Sequence, residues 1–96
     1  MIDVAAIESA AQRLAGVSVR TPLLQNFELD AVAGGKVLIK PECLQVTGSF
    51  KIRGAYNFLS QLSPEQSRCG VVAFSSGNHA QGVAAAGSML GIKTAI

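Results

Sequence analysis

The sequence predicts an α/β fold, with a partial doubly wound parallel sheet (β-α-β-α-β) preceded by an N-terminal helix. Three short apolar or β-branched runs alternate with segments of helical periodicity, which favours parallel strands joined by crossover helices. Glycine or proline borders these runs, and alanine and glycine are abundant while aromatic residues make up only 5% of the 96 residues. Small side chains let helices lie close against a sheet, so these observations favour this class over a β-sandwich.

The N-terminal segment predicts two helices and a connector. Asp3 is a suitable cap for the first helix, and Gly16 a suitable end. Thr21-Pro22 disfavours helix in the connector, and residues 27–32 predict a short second helix closed by Gly34. The face of the first helix that we expect to be apolar contains Ile7, Ala10, Ala11 and Leu14.

The middle of the chain predicts the first β-α unit. Residues 36–40 form a β-branched run that Pro41 stops, and residues 42–49 read as a loop. Residues 50–61 have helical spacing of apolar positions, and a further short helix begins at Ser63-Pro64 and ends at Gly70. The apolar positions of the longer helix are Ile52, Ala55, Tyr56 and Leu59.

The last third predicts a buried strand over residues 71–74, a turn over 75–77 and a helix over 78–90 that Gly91 closes. Residues 92–96 begin a third strand, so we expect residues 1–96 to form a single incomplete domain. The helix face that would pack on the sheet contains Ala80, Val83, Ala84 and Gly87.

Composition excludes several classes of protein. The net charge is only +2 and the basic residues are not clustered, which argues against a nucleic-acid partner. No apolar run approaches a membrane span and no signal peptide is visible, so we expect no membrane partner. Cys43 and Cys69 have neither metal-type spacing nor a paired framework, which favours reduced thiols and a cytoplasmic location, with no metal site.

Two loops are expected at the carboxyl edge of the sheet, where ligands of open α/β sheets bind. They cover residues 45–51 and 75–79, and both run into helix N-termini that favour anions. Lys51, at the start of its helix and between apolar neighbours, is a candidate nucleophile, although most lysines are solvated surface charges. The hydroxyls of Ser75 and Ser76 are more often turn or cap groups, and His79 alone is more often a hydrogen-bonded loop residue.

Both loops carry extended motifs. Lys40-Pro41-Glu42-Cys43-Leu44-Gln45-Val46-Thr47-Gly48-Ser49-Phe50-Lys51-Ile52-Arg53-Gly54-Ala55 is followed, about 24 residues on, by Ser75-Ser76-Gly77-Asn78-His79-Ala80-Gln81-Gly82. The pair resembles the two signatures of the threonine/serine dehydratase and serine racemase family, which are fold-type II pyridoxal-phosphate enzymes. The likeness extends over the whole chain and includes Arg20-Thr21-Pro22-Leu23. It implies the N-terminal fragment of a longer enzyme, without the glycine-rich loop that binds the cofactor phosphate.

The resemblance implies the cofactor pyridoxal 5′-phosphate and a role for each matching residue. Lys51 would bind the cofactor covalently and, once released by substrate, would take the α-proton. Phe50 would pack beside the cofactor ring, and Asn78 would donate a hydrogen bond to its 3′-hydroxyl.

The second loop would hold the substrate. Ser75, Asn78 and His79 would bind its carboxylate, and Ser76 matches the acid/base of the racemases in the family.

The reaction implied is the dehydration and deamination of L-threonine or L-serine to a 2-oxo acid and ammonia, as in isoleucine biosynthesis. The parent enzyme would be a homo-oligomer, and the fragment alone is expected to be inactive. Two alternatives stay open: a serine racemase or related β-hydroxyamino-acid lyase, and a non-catalytic ligand-binding remnant.

Overall fold

The computed structural model describes all residues from Met1 to Ile96 and has the mixed α/β character that the sequence predicts. Two short 3-10 turns, Glu42–Leu44 and Val46–Gly48, occupy the segment that was expected to be a loop. The helices are α1 (Val4–Arg13), α2 (Phe27–Ala33), α3 (Lys51–Leu59), α4 (Pro64–Cys69) and α5 (Asn78–Leu90). The strands are β1 (Leu24–Gln25), β2 (Leu38–Ile39), β3 (Val71–Val72) and β4 (Thr94–Ala95).

The helix boundaries follow from capping groups in the sequence. The Asp3 carboxylate accepts a 2.8 Å hydrogen bond from the backbone N–H three residues on, which satisfies a free donor of α1. Ser63 and Gln66 form a reciprocal capping box at the start of α4. Gly34 and Gly91 end α2 and α5 in the left-handed conformation, with φ of 67° and 68°. These four ends are therefore confirmed, whereas α1 ends at Arg13, before the expected Gly16.

The C-terminal half contains the parallel unit β3-α5-β4. Val71 pairs with Thr94 and Val72 with Ala95, in parallel register. A helix of 13 residues connects the two strands, as a crossover between parallel neighbours requires. This part of the predicted topology is therefore present.

The strand β2 departs from the prediction, because it does not lie in the sheet of β3 and β4. It pairs antiparallel with β1, so the residues form two separate two-stranded sheets instead of one β-α-β-α-β sheet. Asp30 of α2 ties this pair together by accepting hydrogen bonds from the Val37 N–H (2.6 Å) and the Gln25 amide (2.5 Å). The pKa of Asp30 is lowered, first by the Val37 bond and then by the Gln25 bond.

The core lies between α3 and α5. Three of the four α3 residues that the spacing predicts are buried, with Ile52 fully so, and the fourth, Tyr56, is partly buried and packs against them. On α5 the prediction is partly wrong, since Ala84 is exposed and Ala86 is buried in its place. The buried apolar residues are Ile52, Ala55, Leu59, Val83, Ala86 and Ile92.

The prediction of a buried strand over residues 71–74 is wrong, because the strand covers only Val71–Val72 and none of the four residues is buried. The side chain of Val72 is 85% exposed and that of Phe74 is fully exposed. The helix α5 packs against this pair of strands through β4. The apolar run thus has the composition of a buried strand but not the burial.

None of the five α-helices combines the length and the apolar character that crossing a bilayer requires. The structure also contains no group of three or more histidine, cysteine, aspartate or glutamate side chains that could hold a metal ion.

Gly87 on α5 gives the first testable prediction. A Cβ atom at this position would collide with the Thr94 Cγ2 and lie 2.9 Å from the Ile92 carbonyl oxygen. We expect Gly87→Ala to lower the free energy of unfolding by about 1–3 kcal/mol, the usual cost of overpacking. Urea denaturation of the protein that contains this chain measures the change.

Gly54 is the matched control, because it also lies within a helix but has no heavy atom within 4 Å of an added Cβ. Gly54→Ala should raise the free energy of unfolding by about 0.5–1 kcal/mol, through helix propensity. Equal effects of the two substitutions would contradict the close packing of α5 on β4.

Candidate active site

The packing of α3 on α5 brings the two motif-bearing segments together. Lys51 is the first residue of α3, and Asn78 is the first residue of α5. Gly82 makes the close approach possible, because a Cβ there would lie 3.0 Å from the Lys51 carbonyl carbon and 3.1 Å from the Lys51 Cβ. The first turn of α3 therefore rests directly on the backbone of α5.

A cleft of about 290 Å³ opens at this junction. The Lys51 amine lies 4.8 Å from the centre of the Phe50 ring, within the range of a cation–π contact. Lys51 is half-buried, and Phe50 is 57% exposed. The cleft is lined by Phe50, Lys51, Arg53, Gly54, Ala55 and His79.

A larger cleft of about 770 Å³ runs along the apolar face of α1 and does not include Lys51. We assign the site to the smaller cleft because only that one contains a nucleophilic amine beside an aromatic ring.

The turn before Lys51 has an unusual backbone. Thr47 adopts φ 66° and Gly48 adopts φ 71°, in the left-handed region that a β-branched residue rarely enters. The Thr47 Oγ1 is buried and has no hydrogen-bond partner within the chain. Buried polar groups are normally paired, so this unpaired hydroxyl is an exception within the chain. Ser49 is buried, and its Oγ accepts a 3.4 Å hydrogen bond from the Lys51 N–H at the start of α3.

The second loop contributes a helix start and one cleft residue. The Ser75 Oγ accepts hydrogen bonds from the N–H groups of Gly77 (3.3 Å) and Ala80 (3.2 Å), so it does the work of a cap for α5. His79 borders the cleft, whereas Ser76 and Asn78 are exposed and do not line it. The structure thus brings Lys51, Phe50 and His79 together at one cleft. The other three predicted residues precede His79 in the chain and lie outside the lining of the cleft: Ser75, Ser76 and Asn78.

Sequence reasoning did not single out a polar cluster centred on Glu42. The Glu42 carboxylate accepts hydrogen bonds from Arg53 Nε (2.7 Å), Arg53 Nη2 (2.9 Å) and the Thr21 hydroxyl (2.5 Å). Gln45, which is buried, exchanges two 2.8 Å hydrogen bonds with the backbone of Val19 and lies 3.4 Å from Glu42. In the sequence, Glu42 is 21 residues from Thr21 and 11 residues from Arg53. No local periodicity therefore reveals this cluster.

The cluster fixes the charge of Glu42. The hydrogen bond from Arg53 lowers the pKa of Glu42 to about 2, helped by the Thr21 hydroxyl, although burial opposes the shift. The same hydrogen bond raises the pKa of Arg53. Glu42 and Arg53 therefore form a permanent ion pair at neutral pH.

The residues of the cleft fit a cofactor that carries an aldehyde and an aromatic ring. The Lys51 amine makes no hydrogen bond or ion pair within the chain, so it is available to a carbonyl group. The Phe50 ring offers a flat apolar surface beside it, and the Thr47 hydroxyl is an unused polar partner in the preceding turn. The chain is thus a mixed α/β structure with a cleft in which a lysine amine lies beside an aromatic ring, the arrangement that an enzyme holding a carbonyl compound through a lysine would need.

Comparison with known proteins identifies the family. Residues 15–96 match the family described as pyridoxal-phosphate dependent enzyme, and the chain belongs to this family. Over 81 residues the chain is 57% identical to an L-threo-3-hydroxyaspartate ammonia-lyase from Pseudomonas sp., covering 84% of this chain and 25% of that protein. Over 96 residues it is 50% identical to an L-threonine ammonia-lyase from Thermotoga maritima, covering 100% and 24%.

Solved structures agree with this assignment. The chain is similar to maize serine racemase, with a TM-score of 0.88 and 44% identity over 96% of this chain and 29% of that one. The chain spans about a quarter of the length of the curated relatives that it matches.

The Glu42 cluster predicts how stability depends on pH. The folded-state pKa of Glu42 lies below its ordinary value of 4.5, so the stabilisation is fully present above about pH 4.5 and is lost as the pH falls towards 2. The lowered pKa corresponds to a stabilisation of roughly 3 kcal/mol before solvent screening is considered. Screening makes the actual stabilisation smaller, because the Glu42 side chain is 16% exposed and that of Arg53 is 31% exposed.

Urea denaturation between neutral pH and about pH 2 checks this dependence. In Glu42→Gln, the decline in free energy of unfolding below pH 4.5 should be smaller, and what remains belongs to other carboxylates such as Asp30. If the free energy of unfolding of this variant fell below pH 4.5 as steeply as that of the wild-type protein, the ion pair would not contribute to the pH dependence of stability.

Proposed function

We propose that residues 1–96 form the N-terminal part of the catalytic domain of a pyridoxal-phosphate-dependent ammonia-lyase. The reaction is the conversion of L-threonine or L-serine to a 2-oxo acid and ammonia. The observation that carries the proposal is the unpaired Lys51 amine at the mouth of the cleft, beside the Phe50 ring, in a chain of the pyridoxal-phosphate family. The likeness to the Thermotoga maritima L-threonine ammonia-lyase over the whole chain supports the choice of reaction.

Lys51 has two duties in this proposal. Its amine would hold the cofactor, and when not bound to the cofactor it would act as the base that takes the α-proton of the substrate. Bound pyridoxal phosphate supplies an electron sink for the resulting negative charge. Because α5 fixes the backbone of the first turn of α3 through Gly82, the amine would stay attached close to the bound substrate, which would make the proton transfer effectively intramolecular.

The second loop binds the anionic end of the substrate. The N-terminus of α5 offers N–H groups and the positive end of a helix dipole, and both favour a carboxylate. Asn78 and His79 lie in this first turn, and the bonds that Ser75 accepts keep the turn in shape. We propose Ser75, Asn78 and His79 as the substrate-binding residues, with Asn78 also donating to the cofactor.

Two further roles concern the faces of the cofactor. Phe50 would pack against the cofactor ring, and the exposed Phe50 side chain beside the Lys51 amine supports this role. Ser76 is the acid/base candidate for the ring face opposite Lys51, a duty that matters in a racemase.

The sheet topology, the oligomeric state and the location of the whole protein are also proposals. We infer that β3 and β4 belong to a larger doubly wound parallel sheet of the whole protein, which acts as a homo-oligomer in the cytoplasm. The exposed Val72 and Phe74 side chains support the sheet, because their composition suits a strand covered on both faces.

A second substrate class has support of its own. The relative with 57% identity is an L-threo-3-hydroxyaspartate ammonia-lyase, so a β-hydroxyamino acid with a second carboxylate is the alternative substrate. The structural likeness to maize serine racemase keeps racemisation as another outcome. Assays of the intact protein with L-threonine, L-serine and L-threo-3-hydroxyaspartate, read as 2-oxo acid formed and as chirality of the remaining amino acid, separate the three.

Substitution of Lys51 tests the central role. In Lys51→Ala, the visible absorbance of lysine-bound pyridoxal phosphate should disappear and turnover should fall to background. The free energy of unfolding without cofactor should change by only about 0.5 kcal/mol, since the amine makes no hydrogen bond or ion pair in the chain and its contact with the Phe50 ring is exposed. Lys36→Ala, at an exposed lysine outside the cleft, is the control and should retain both signals. Full turnover by Lys51→Ala would instead support a non-catalytic remnant or another catalytic group.

The 96-residue chain by itself should show little or no turnover. It has the amine for covalent attachment, but its sequence has no glycine-rich loop to bind the cofactor phosphate, and it covers a quarter of the length of its relatives. Addition of pyridoxal phosphate and L-threonine to the purified chain, followed by a 2-oxo acid assay, measures this. Turnover comparable to that of the intact protein would refute the expectation.

A further inference from the structure

Glu42 and Arg53 bracket the segment that leads to Lys51. Arg53 lies two residues after Lys51 in the first turn of α3, and Glu42 lies at the start of the first 3-10 turn. Their side chains meet in a two-pronged contact, with 2.7 Å from Nε and 2.9 Å from Nη2. A planar guanidinium that binds both oxygens of a carboxylate fixes orientation as well as distance. The contact therefore closes residues 42–53 into a loop whose end is the first turn of α3.

The remaining donors of Arg53 attach this loop to the segment before β1. Nη2 also donates to the Val19 carbonyl (3.1 Å), and Nη1 donates to the Ser18 hydroxyl (3.4 Å). Arg53 borders the cleft, yet all three guanidinium nitrogens have partners within the chain. These contacts engage four of the five guanidinium N–H groups, so the guanidinium is held mainly by the chain itself, and we expect its influence on the chemistry to pass through the position of the helix.

The opposite side of the same turn is held by α5. Gly82 lies against the Lys51 carbonyl carbon and the Ile52 N–H, and Ile52 is fully buried in the core. The turn that carries Lys51 is thus held on one side by helix packing and on another by the ion pair. The packing sets how close α3 lies to α5, while the ion pair sets how the 42–50 segment enters the helix.

We propose that Glu42 and Arg53 are positioning residues for Lys51, and that their ion pair places the Lys51 amine for its reaction. This inference rests on the proposed function, because it gives the pair a role in the chemistry assigned to Lys51. Misplacement of a reacting group by about 1 Å can lower a rate about a hundredfold. Loss of the pair should therefore act on kcat more than on KM.

The experiment uses the intact protein that contains this chain, with the variants Arg53→Met, Arg53→Lys and Glu42→Gln. The first readout needs no cofactor: acetic anhydride acylates lysines, and mass spectrometry gives the rate at Lys51 relative to the exposed Lys36 and Lys93 in the same sample. The second readout is kcat and KM for whichever β-hydroxyamino acid the wild-type protein converts. Thermal unfolding shows that each variant is folded.

We expect Arg53→Met and Glu42→Gln to change the relative labelling of Lys51 several-fold and to lower kcat about a hundredfold, with a much smaller change in KM. Arg53→Lys should not rescue either readout, because an ammonium group cannot form the two-pronged contact. Glu42→Gln keeps an oxygen acceptor and the side-chain shape, so it tests the idea even where Arg53→Met does not fold.

Arg13→Met is the matched control. Arg13 also donates to polar side chains, Asn57 (2.6 Å) and Ser9 (2.9 Å), but it does not border the Lys51 cleft. Its loss should leave Lys51 labelling and kcat unchanged.

Folded variants with wild-type labelling of Lys51 and wild-type kcat would overturn the proposal. A rise in KM alone in Arg53→Met would also overturn it, because that result would indicate that Arg53 binds the substrate directly. If the wild-type protein converts no substrate, the proposed function fails, while the labelling ratios still decide whether the pair positions Lys51.

Discussion

The contact between α3 and α5 is the constraint on which the rest of the structure depends. Five of the six buried apolar side chains of the core come from these two helices, and Gly82 lets them approach at the residue that begins α3. Helices that approach this closely leave little freedom for the turn at their crossing. The burial that holds the chain together is therefore also what places Lys51, so stability and site geometry have a common source.

Much of the fold could be predicted because its signals are local. Capping residues, glycines at helix ends and apolar spacing mark most of the helices, and each acts within a few residues of the boundary that it determines. The strands were harder. β1 follows Thr21-Pro22 and has no apolar alternation. β2 pairs with β1 across the intervening helix α2, and Asp30 of that helix accepts a hydrogen bond from the Val37 N–H just before β2. Pairing partners at such separation are chosen by tertiary contacts that periodicity does not report.

The site shows the same division. Lys51 and the two loops are visible in the sequence because motif and spacing identify them, and the structure brings Lys51, Phe50 and His79 to one cleft. The Glu42 cluster is not visible, because its bonds join residues 18–21 to residues 42–53 and depend on how the chain turns back. All three buried polar residues lie in these segments: Thr21, Gln45 and Ser49. Polar side chains are buried where hydrogen-bond partners are available to them. Those partners are distant in the sequence, so the residue type at one position does not predict its burial.

The backbone at Thr47 has a consequence for how this segment can vary. A φ of 66° is costly for a residue with a branched Cβ, by about 1–2 kcal/mol, and glycine would adopt it without that cost. Selection for a more stable fold alone would therefore replace this threonine with glycine or asparagine. Position 47 therefore combines two costs in one residue, a strained backbone and a buried hydroxyl without a partner, and glycine would remove both.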